Sequence, residues 1–354
     1  WGLSFGHALN PISPGAYVCN ASMLAALAVR QRALTLPDCP NFEDHLVPFA
    51  LDEDQLAPAR SVSPATAERT FEGYRRPGNR GVGTRNTIVI LGTTSRTASF
   101  ARQLAARLQS TAKLFPSLDG VVAIAHTEGG GTEDPNNATE VLRALAGFMV
   151  HPNVGAVLAV DYGMEPINNR RLEAYLREHK YAIDQVPHKF LSIDRGLAAA
   201  LAQGEHLLKA WLPPLAGLSR TSEPVSELRV ALQCGGSDAF SGVSGNPLAG
   251  AMVHEIVRHG GSGVLCETDE LAGAEEYLIR NVRNLGVAKS LLKCIADFKR
   301  RLSWHGVTPE NNPSAGNKFR GLYNITLKSL GAVHKKDPRT PIDHVIEYAQ
   351  PIGD

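Results

Sequence analysis

Short apolar runs alternate with helical periodicities along most of the chain, and each run stops at a polar, glycine-rich turn. The run 87–92 reads as a buried strand, and 97–109 then places Ala98, Ala101, Leu104, Ala105 and Leu108 on one helical face. Runs at 119–125, 155–160 and 188–193 predict further strands, with an amphipathic helix over 168–179. Pro213 and Pro214, inside 211–217, predict a break that serves as a crossover between domains. A second alternating unit opens with the strand 228–233. Asn246 as cap and Pro247 at the first helical position predict a helix to about His259, closed by Gly260 and Gly261. A strand at 262–266 and helices over 271–283 and 287–303 follow. Residues 1–65 pattern differently, with a short strand at His7 and a turn-rich stretch at 37–48, and 57–70 is rich in Ala, Pro and Ser. The predicted fold is α/β: a small β-rich module (1–65), a linker (66–86), and two α/β domains (87–220 and 221–354) with mainly parallel sheets.

Four of the strand runs end on residues able to do chemistry: His126-Thr-Glu128, Asp161 through Glu165, Cys234 through Asp238, and Glu267-Thr-Asp269-Glu270. Ligands of an open parallel sheet collect outside the carboxyl ends of its strands, so these loops are expected to converge on one crevice. His126 and Glu128 suit a metal ligand, general base or general acid; a strand-ending His bonded to backbone is the plainer alternative. Glu267, Asp269 and Glu270 suit a hard divalent cation or, as such charge runs more often do, the start of a helix. Cys234 reads as a thiolate ligand, a nucleophile, or an inert thiol. The loop from Ser241 to Asn246 enters a helix N-terminus, where free N–H groups favour an anion; a simple connecting loop is the alternative. Lys318, in the donor-rich loop from Asn312, is placed to hold a carboxylate or stabilise an enolate, or else sits in a solvated turn.

Composition narrows the partners. A chain of 354 residues, 43% hydrophobic, buries a large core, and a net charge of +1 without a dense Lys/Arg face argues against nucleic acid. No apolar run approaches the roughly 20 residues that cross a bilayer, and no leader pattern opens the chain. The five cysteines (Cys19, Cys39, Cys234, Cys266, Cys294) follow no disulfide or zinc spacing, which points to a reducing cytoplasm. The chain opens on Trp1 instead of Met and stops at Asp354, which leaves open whether the native termini extend beyond residues 1 and 354.

Taken together, the motifs 80–86 (RGVGTRN), 126–131 (HTEGGG), 232–247 (LQCGGSDAFSGVSGNP), 267–270 (ETDE) with 273–275 (GAE), 312–318 (NPSAGNK) and 328–332 (KSLGA) resemble the altronate/galactarate dehydratase family. The resemblance runs from about residue 73 to the end, and the segment from His7 to Met23 resembles the small SAF (β-clip) domain that accompanies these enzymes. It implies a hydro-lyase that converts a sugar acid, an aldonate or aldarate, into a 2-keto-3-deoxy acid by α-proton abstraction and loss of the β-hydroxyl. It also implies a divalent metal such as iron or manganese, a small-molecule substrate and a cytoplasmic location; a homodimer is the common form for α/β enzymes of this size. By resemblance, His126, Glu128, Lys318 and Lys328 are the catalytic candidates and His126, Asp238 and Glu267 the metal ligands. Arg85, Asn86, Cys234, Ser237, Ser241, Ser244, Asn246, Asn312 and Asn317 are the substrate contacts. The family's usual cysteines are replaced by Thr94-Ser-Arg96, Gly130 and Met164, Leu327 stands for a common glutamate, and a further glycine-rich segment is missing after Asp354. Two alternatives follow: a silent sugar-acid-binding paralogue or partner subunit, and a lyase expelling another group such as sulfite.

Overall fold

Gly120–Ile124, Thr87–Gly92, Val154–Asp161 and His188–Ser192 lie side by side, in that order, as a parallel sheet. The computed structural model describes residues 4–30, 35–57, 59–348, 350 and 352. The ends of the chain, on which the question of the native termini rests, lie outside the described residues. The protein divides into a sheet unit, residues 69–227 with the segment from Ile346, and a terminal unit, the chain up to Glu68 with Leu228–Val345.

In the sheet unit, alternate side chains of the central strands enter opposite cores. Ile88 and Ile90 pack under the helices Ala98–Ala112 and Leu197–Ala216, while Val89 and Leu91 pack under Ala138–Val150 and Asn169–Glu178. Burial of both faces explains why the strands read as unbroken apolar runs. From Thr87–Gly92 the chain steps to Gly120–Ile124 on one side, then crosses to Val154–Asp161 on the other. The loops after these strands therefore surround a point where the strand order reverses, the usual ligand position in such sheets.

Two sequence expectations fail in this unit. Residues 66–86 are not a linker: Thr70–Arg75 pairs antiparallel with Thr221–Pro224 and with Val82–Gly83. Arg76 and Arg80 are buried there because their guanidiniums donate to backbone carbonyls, Arg76 to Pro152 (2.6 Å) and Arg80 to Val154 (2.7 Å) and His151 (2.8 Å). Burial, with Arg76 nearby, pushes Arg80 down to about 10. Nor does the helix break at 211–217; it runs to Ala216 with Pro213 and Pro214 in its last turn. The carbonyls those prolines cannot satisfy belong to Lys209 and Ala210, which are exposed to water, while Leu208, Leu212 and Leu215 stay in the core.

The terminal unit contains a second parallel pair, Arg229–Leu232 and Ser262–Leu265, with the helices Gly245–Arg258, Leu285–Trp304 and Ile325–Val333. The helix expected at 271–283 shrinks to Glu275–Ile279, because Gly273 takes φ +86° where a Cβ would lie 2.4 Å from the Thr326 hydroxyl. Between residues 4 and 65 the described β-structure is one antiparallel pair, Gly6–Ala8 with Phe42–Asp44, beside the helix Ala21–Ala28. This segment shares cores with the C-terminal part: Met23 and Leu27 pack with Phe319 and Tyr323, and Phe49, Leu51 and Leu56 pack against the cluster containing Leu278 and Val282. Asp44 accepts from both Asn20 and Asn324 at 2.9 Å. None of the helices is long and apolar enough to cross a membrane among the described residues.

Leu158, fully buried in the central strand, is the simplest test of the sheet core. Leu158→Ala is expected to lower unfolding stability by about 2–5 kcal/mol, measured by denaturant titration.

Candidate active site

The strand pair of the terminal unit delivers two of the predicted residues to one place. Leu232 and Leu265 are register partners, so the chain leaves adjacent strand ends at Cys234 and Glu267, and the Cys234 backbone N–H donates to the Glu267 carboxylate. Glu267 holds φ +69°, a left-handed conformation that a side chain with a Cβ rarely adopts. The turn that follows buries Glu270, whose relative exposure is 5%. Two lysines meet it: Lys328 Nζ lies 3.0 Å from one oxygen, and Lys335 Nζ lies 3.7 Å from the other and 3.3 Å from Glu267. Lys328 also donates to Asn312 Oδ1 at 2.9 Å. The second Glu270 oxygen, Oε2, is buried without a hydrogen-bond partner among the described residues.

A thiol and loop amides complete the cluster. Cys234 Sγ is 2.9 Å from Ser237 Oγ, and the Ser237 carbonyl accepts from Asn317 at 3.0 Å. Burial pushes the Cys234 thiol above its usual range, partly offset by the Ser237 hydroxyl. Burial likewise raises the neighbouring Asp269 carboxyl. The lysines are placed by the helix Gly245–Arg258: Asn246 donates to the Gly331 carbonyl at 2.8 Å, and Gly250 lets the following turn approach. A Cβ at Gly250 would lie 2.6 Å from the His334 carbonyl oxygen and 3.1 Å from that of Lys335.

The cluster gathers Cys234, Ser237, Glu267, Asn312, Asn317 and Lys328 from the predicted set. Lys335 escaped the sequence reading: the only signal was a pair of lysines directly after an apolar helix, a pattern that normally marks a solvated end. Glu270 stood within a predicted carboxylate cluster without a specific role.

Other candidates take structural positions. Asp238 caps the helix Ala239–Val243, accepting from Ser241 N at 2.7 Å, and that bond holds its carboxyl below the usual range, so it is not a metal ligand of the cluster. The stretch 241–246 is not an open anion loop but the junction of two abutting helices. There the Ser241 amide is taken by Asp238, Ser244 Oγ donates to the Phe240 carbonyl, and Asn246 is an interior brace, with Ser244 as the cap of the second helix. Lys318 sits half-buried in the short helix Ala315–Phe319, its ammonium without a hydrogen bond or ion pair to another described residue.

His126 and Glu128 belong to the sheet unit, as do Arg85 and Asn86, so the four strand-end loops divide between two sheets and do not share one. His126 Nδ1 accepts from the Glu128 amide at 3.2 Å, which leaves the proton on Nε2, 3.0 Å from the Gly92 carbonyl. Both ring nitrogens are thereby engaged, and neither is free for a metal in this conformation. Glu128 is exposed, and hydrogen bonds from Asn137 and Thr127 hold its carboxyl below the usual range. Asn86 is fully buried, donating to the Leu215 carbonyl at 2.9 Å and accepting from Arg76 at 3.2 Å, so it braces the fold and meets no substrate. Arg85 is exposed and pairs with Asp119 at 3.3 Å. Thr94 is buried, and a Cβ at Gly130 would lie 2.1 Å from Ser95 Oγ, so two of the positions where the resemblance led to cysteines adjoin each other without a thiol.

One group among the described residues suits a metal. Single ligand atoms of Cys234, Glu267 and Glu270 all lie within 4.8 Å of one another, and the unpartnered Glu270 oxygen is the kind of acceptor a cation would satisfy.

Comparison with known proteins places these features. A model described as "D-galactarate/Altronate dehydratase, C-terminal" matches residues 225–354, and one described as "D-galactarate dehydratase/Altronate hydrolase, second domain" matches 73–216. The altronate dehydratase of Bacillus subtilis is 32% identical over 286 residues, 80% of this chain and 55% of that protein. Its Escherichia coli counterpart is 31% identical over 353 residues, 99% of this chain and 65% of that protein. The (2R)-sulfolactate sulfo-lyase subunit beta of Chromohalobacter salexigens is 27% identical over 288 residues, 80% of this chain and 68% of its own. The chain thus spans between about half and two thirds of the length of the two altronate dehydratases.

The raised thiol makes a chemical prediction. Cys234 is expected to react with iodoacetamide more slowly than exposed Cys39 at neutral pH, with a rate that goes on rising well into the alkaline range. Site-resolved mass spectrometry across a pH series checks it.

Proposed function

Because the chain belongs to the altronate/galactarate dehydratase family, we propose that it dehydrates a sugar acid to a 2-keto-3-deoxy acid at the cluster of Cys234, Glu267, Glu270, Lys328 and Lys335. The observation that carries this reading is the buried Glu270 carboxylate, held between two lysines with one oxygen left unsatisfied.

The chemistry follows from that arrangement. A hydrogen α to a carboxylate is weakly acidic, so its removal needs a placed base and stabilisation of the enediolate that forms. Glu270 Oε2 takes the proton from the carbon beside the substrate carboxylate. The electron pair from that C–H bond forms the double bond as the β carbon–oxygen bond breaks, and the Lys328 ammonium protonates the departing hydroxide to water. Lys335 holds the substrate carboxylate as charge accumulates there. The enol that remains tautomerises to the 2-keto acid. Cys234 and Glu267 would hold a divalent cation, which when bound would polarise the substrate carboxylate and so acidify the α-hydrogen, with Glu270 Oε2 kept as the base. Lys318, whose ammonium has no partner among the described residues, is the candidate for the distal end of the substrate.

A second reading keeps the proton abstraction and changes the leaving group to sulfite. The similarity to a sulfo-lyase subunit favours it.

Glu270→Gln and Lys335→Met are each expected to lower kcat by about a hundredfold or more, while Asp238→Ala retains turnover and costs about 1 kcal/mol of stability. The assay is 2-keto-acid formation across a panel of aldonates and aldarates, with sulfite release from sulfolactate measured in parallel. Wild-type turnover in both cluster variants would remove the cluster from the chemistry.

A further inference from the structure

Directly after Lys335 stands a second lysine that the dehydration does not use. Lys336 has 8% relative exposure, yet among the described residues its ammonium reaches only the Asp337 backbone carbonyl, at 3.5 Å, and the face of the Tyr277 ring, at 5.6 Å. The Tyr277 hydroxyl is turned away, donating to the Lys336 carbonyl at 3.0 Å. The adjacent Asp337 carboxylate is consumed by Arg339, which approaches through its amide (2.8 Å), Nε (2.8 Å) and Nη2 (2.7 Å). A buried ammonium with three donors and one long bond is a costly group unless an anion joins it. Burial pulls Lys336 down to about 8, as expected of an under-compensated cation.

Lys336 lines an open cavity of about 490 Å³ together with Arg60, Ser61, Tyr277, Arg280 and Arg339. Arg280 is paired with Glu276 and Arg339 with Asp337. Arg60 is exposed on the rim and has no ion-pair partner among the described residues, so the surplus positive charge rests on Lys336 and Arg60. The volume lies within the range of small-molecule sites.

We propose that this cavity is an oxyanion site, taking a small phosphate or carboxylate group on Lys336 as the buried anchor and Arg60 as the outer contact. None of its lining residues belongs to the Cys234, Glu267 and Glu270 cluster, and the site stands whether or not the dehydration reading does.

Isothermal titration of the full chain at fixed ionic strength, with inorganic phosphate and separately with malonate, tests it. At least one anion should bind saturably, and Arg60→Ala and Lys336→Met should each weaken it about tenfold or more. Binding of phosphate alone marks the site for a phosphate ester, and binding of malonate alone marks it for a carboxylate; either supports the site. If Lys336→Met does not fold by circular dichroism, Arg60→Glu at the exposed rim gives the same readout. Absence of saturable binding for both anions, or affinities indifferent to position 60, overturns the proposal.

Discussion

Placing charge out of water is the constraint on which the candidate site depends. Glu270, Lys328 and Lys335 are each buried, and stranding any one alone costs several kcal/mol. The three persist because they neutralise one another, with Glu267 and Asn312 supplying the remaining contacts. That requirement ties four distant stretches of sequence into one object: the end of one strand, the turn after its neighbour, the loop before a short helix, and the helix Ile325–Val333 with the turn that follows it. It also makes the arrangement intolerant, since removing one charge strands its partners. The strained backbone of Glu267 fits the same picture, because the carboxylate meets both Cys234 N–H and Lys335 only from that turn.

The strands were legible in the sequence for a plain physical reason. A strand buried on both faces carries apolar residues at nearly every position, as in Thr87–Gly92 and Val154–Asp161. The residues at strand ends followed from the same logic, and Cys234 and Glu267 do meet. What the sequence could not reveal is how each polar group spends its hydrogen bonds. His126 and Asn86 have the composition of functional residues, but backbone carbonyls and a buried arginine claim their polar atoms. Asp238 has the chemistry of a ligand and the geometry of a cap.

Misread elements share a second cause. The prolines at 213 and 214 signal a break only if the residues whose carbonyls they orphan are buried, and here Lys209 and Ala210 are exposed. Residues 66–86 look like a linker because they follow an Ala/Pro/Ser-rich stretch and are themselves rich in charge and glycine, and only tertiary contacts bury Arg76 and Arg80. Lys335 was invisible because charge after an apolar helix is ordinarily solvated. In each case the deciding partner lies far away in sequence. The resemblance to the dehydratase family identified the chain where residue-by-residue physics left alternatives open.

Gly250 and the turn it admits have one more implication. The backbone at 334–337 is pressed against that helix, which leaves it little freedom to move as separate residues. Lys335 and Lys336 sit on consecutive positions of this stiff segment, one beside Glu270 and the other on the basic cavity. Two binding events that share so short a lever are thermodynamically reciprocal: whatever affinity change one ligand imposes on the other, it receives back in equal measure. One stiff turn thereby serves two separate anionic partners, a carboxylate already in the fold and one that would come from outside.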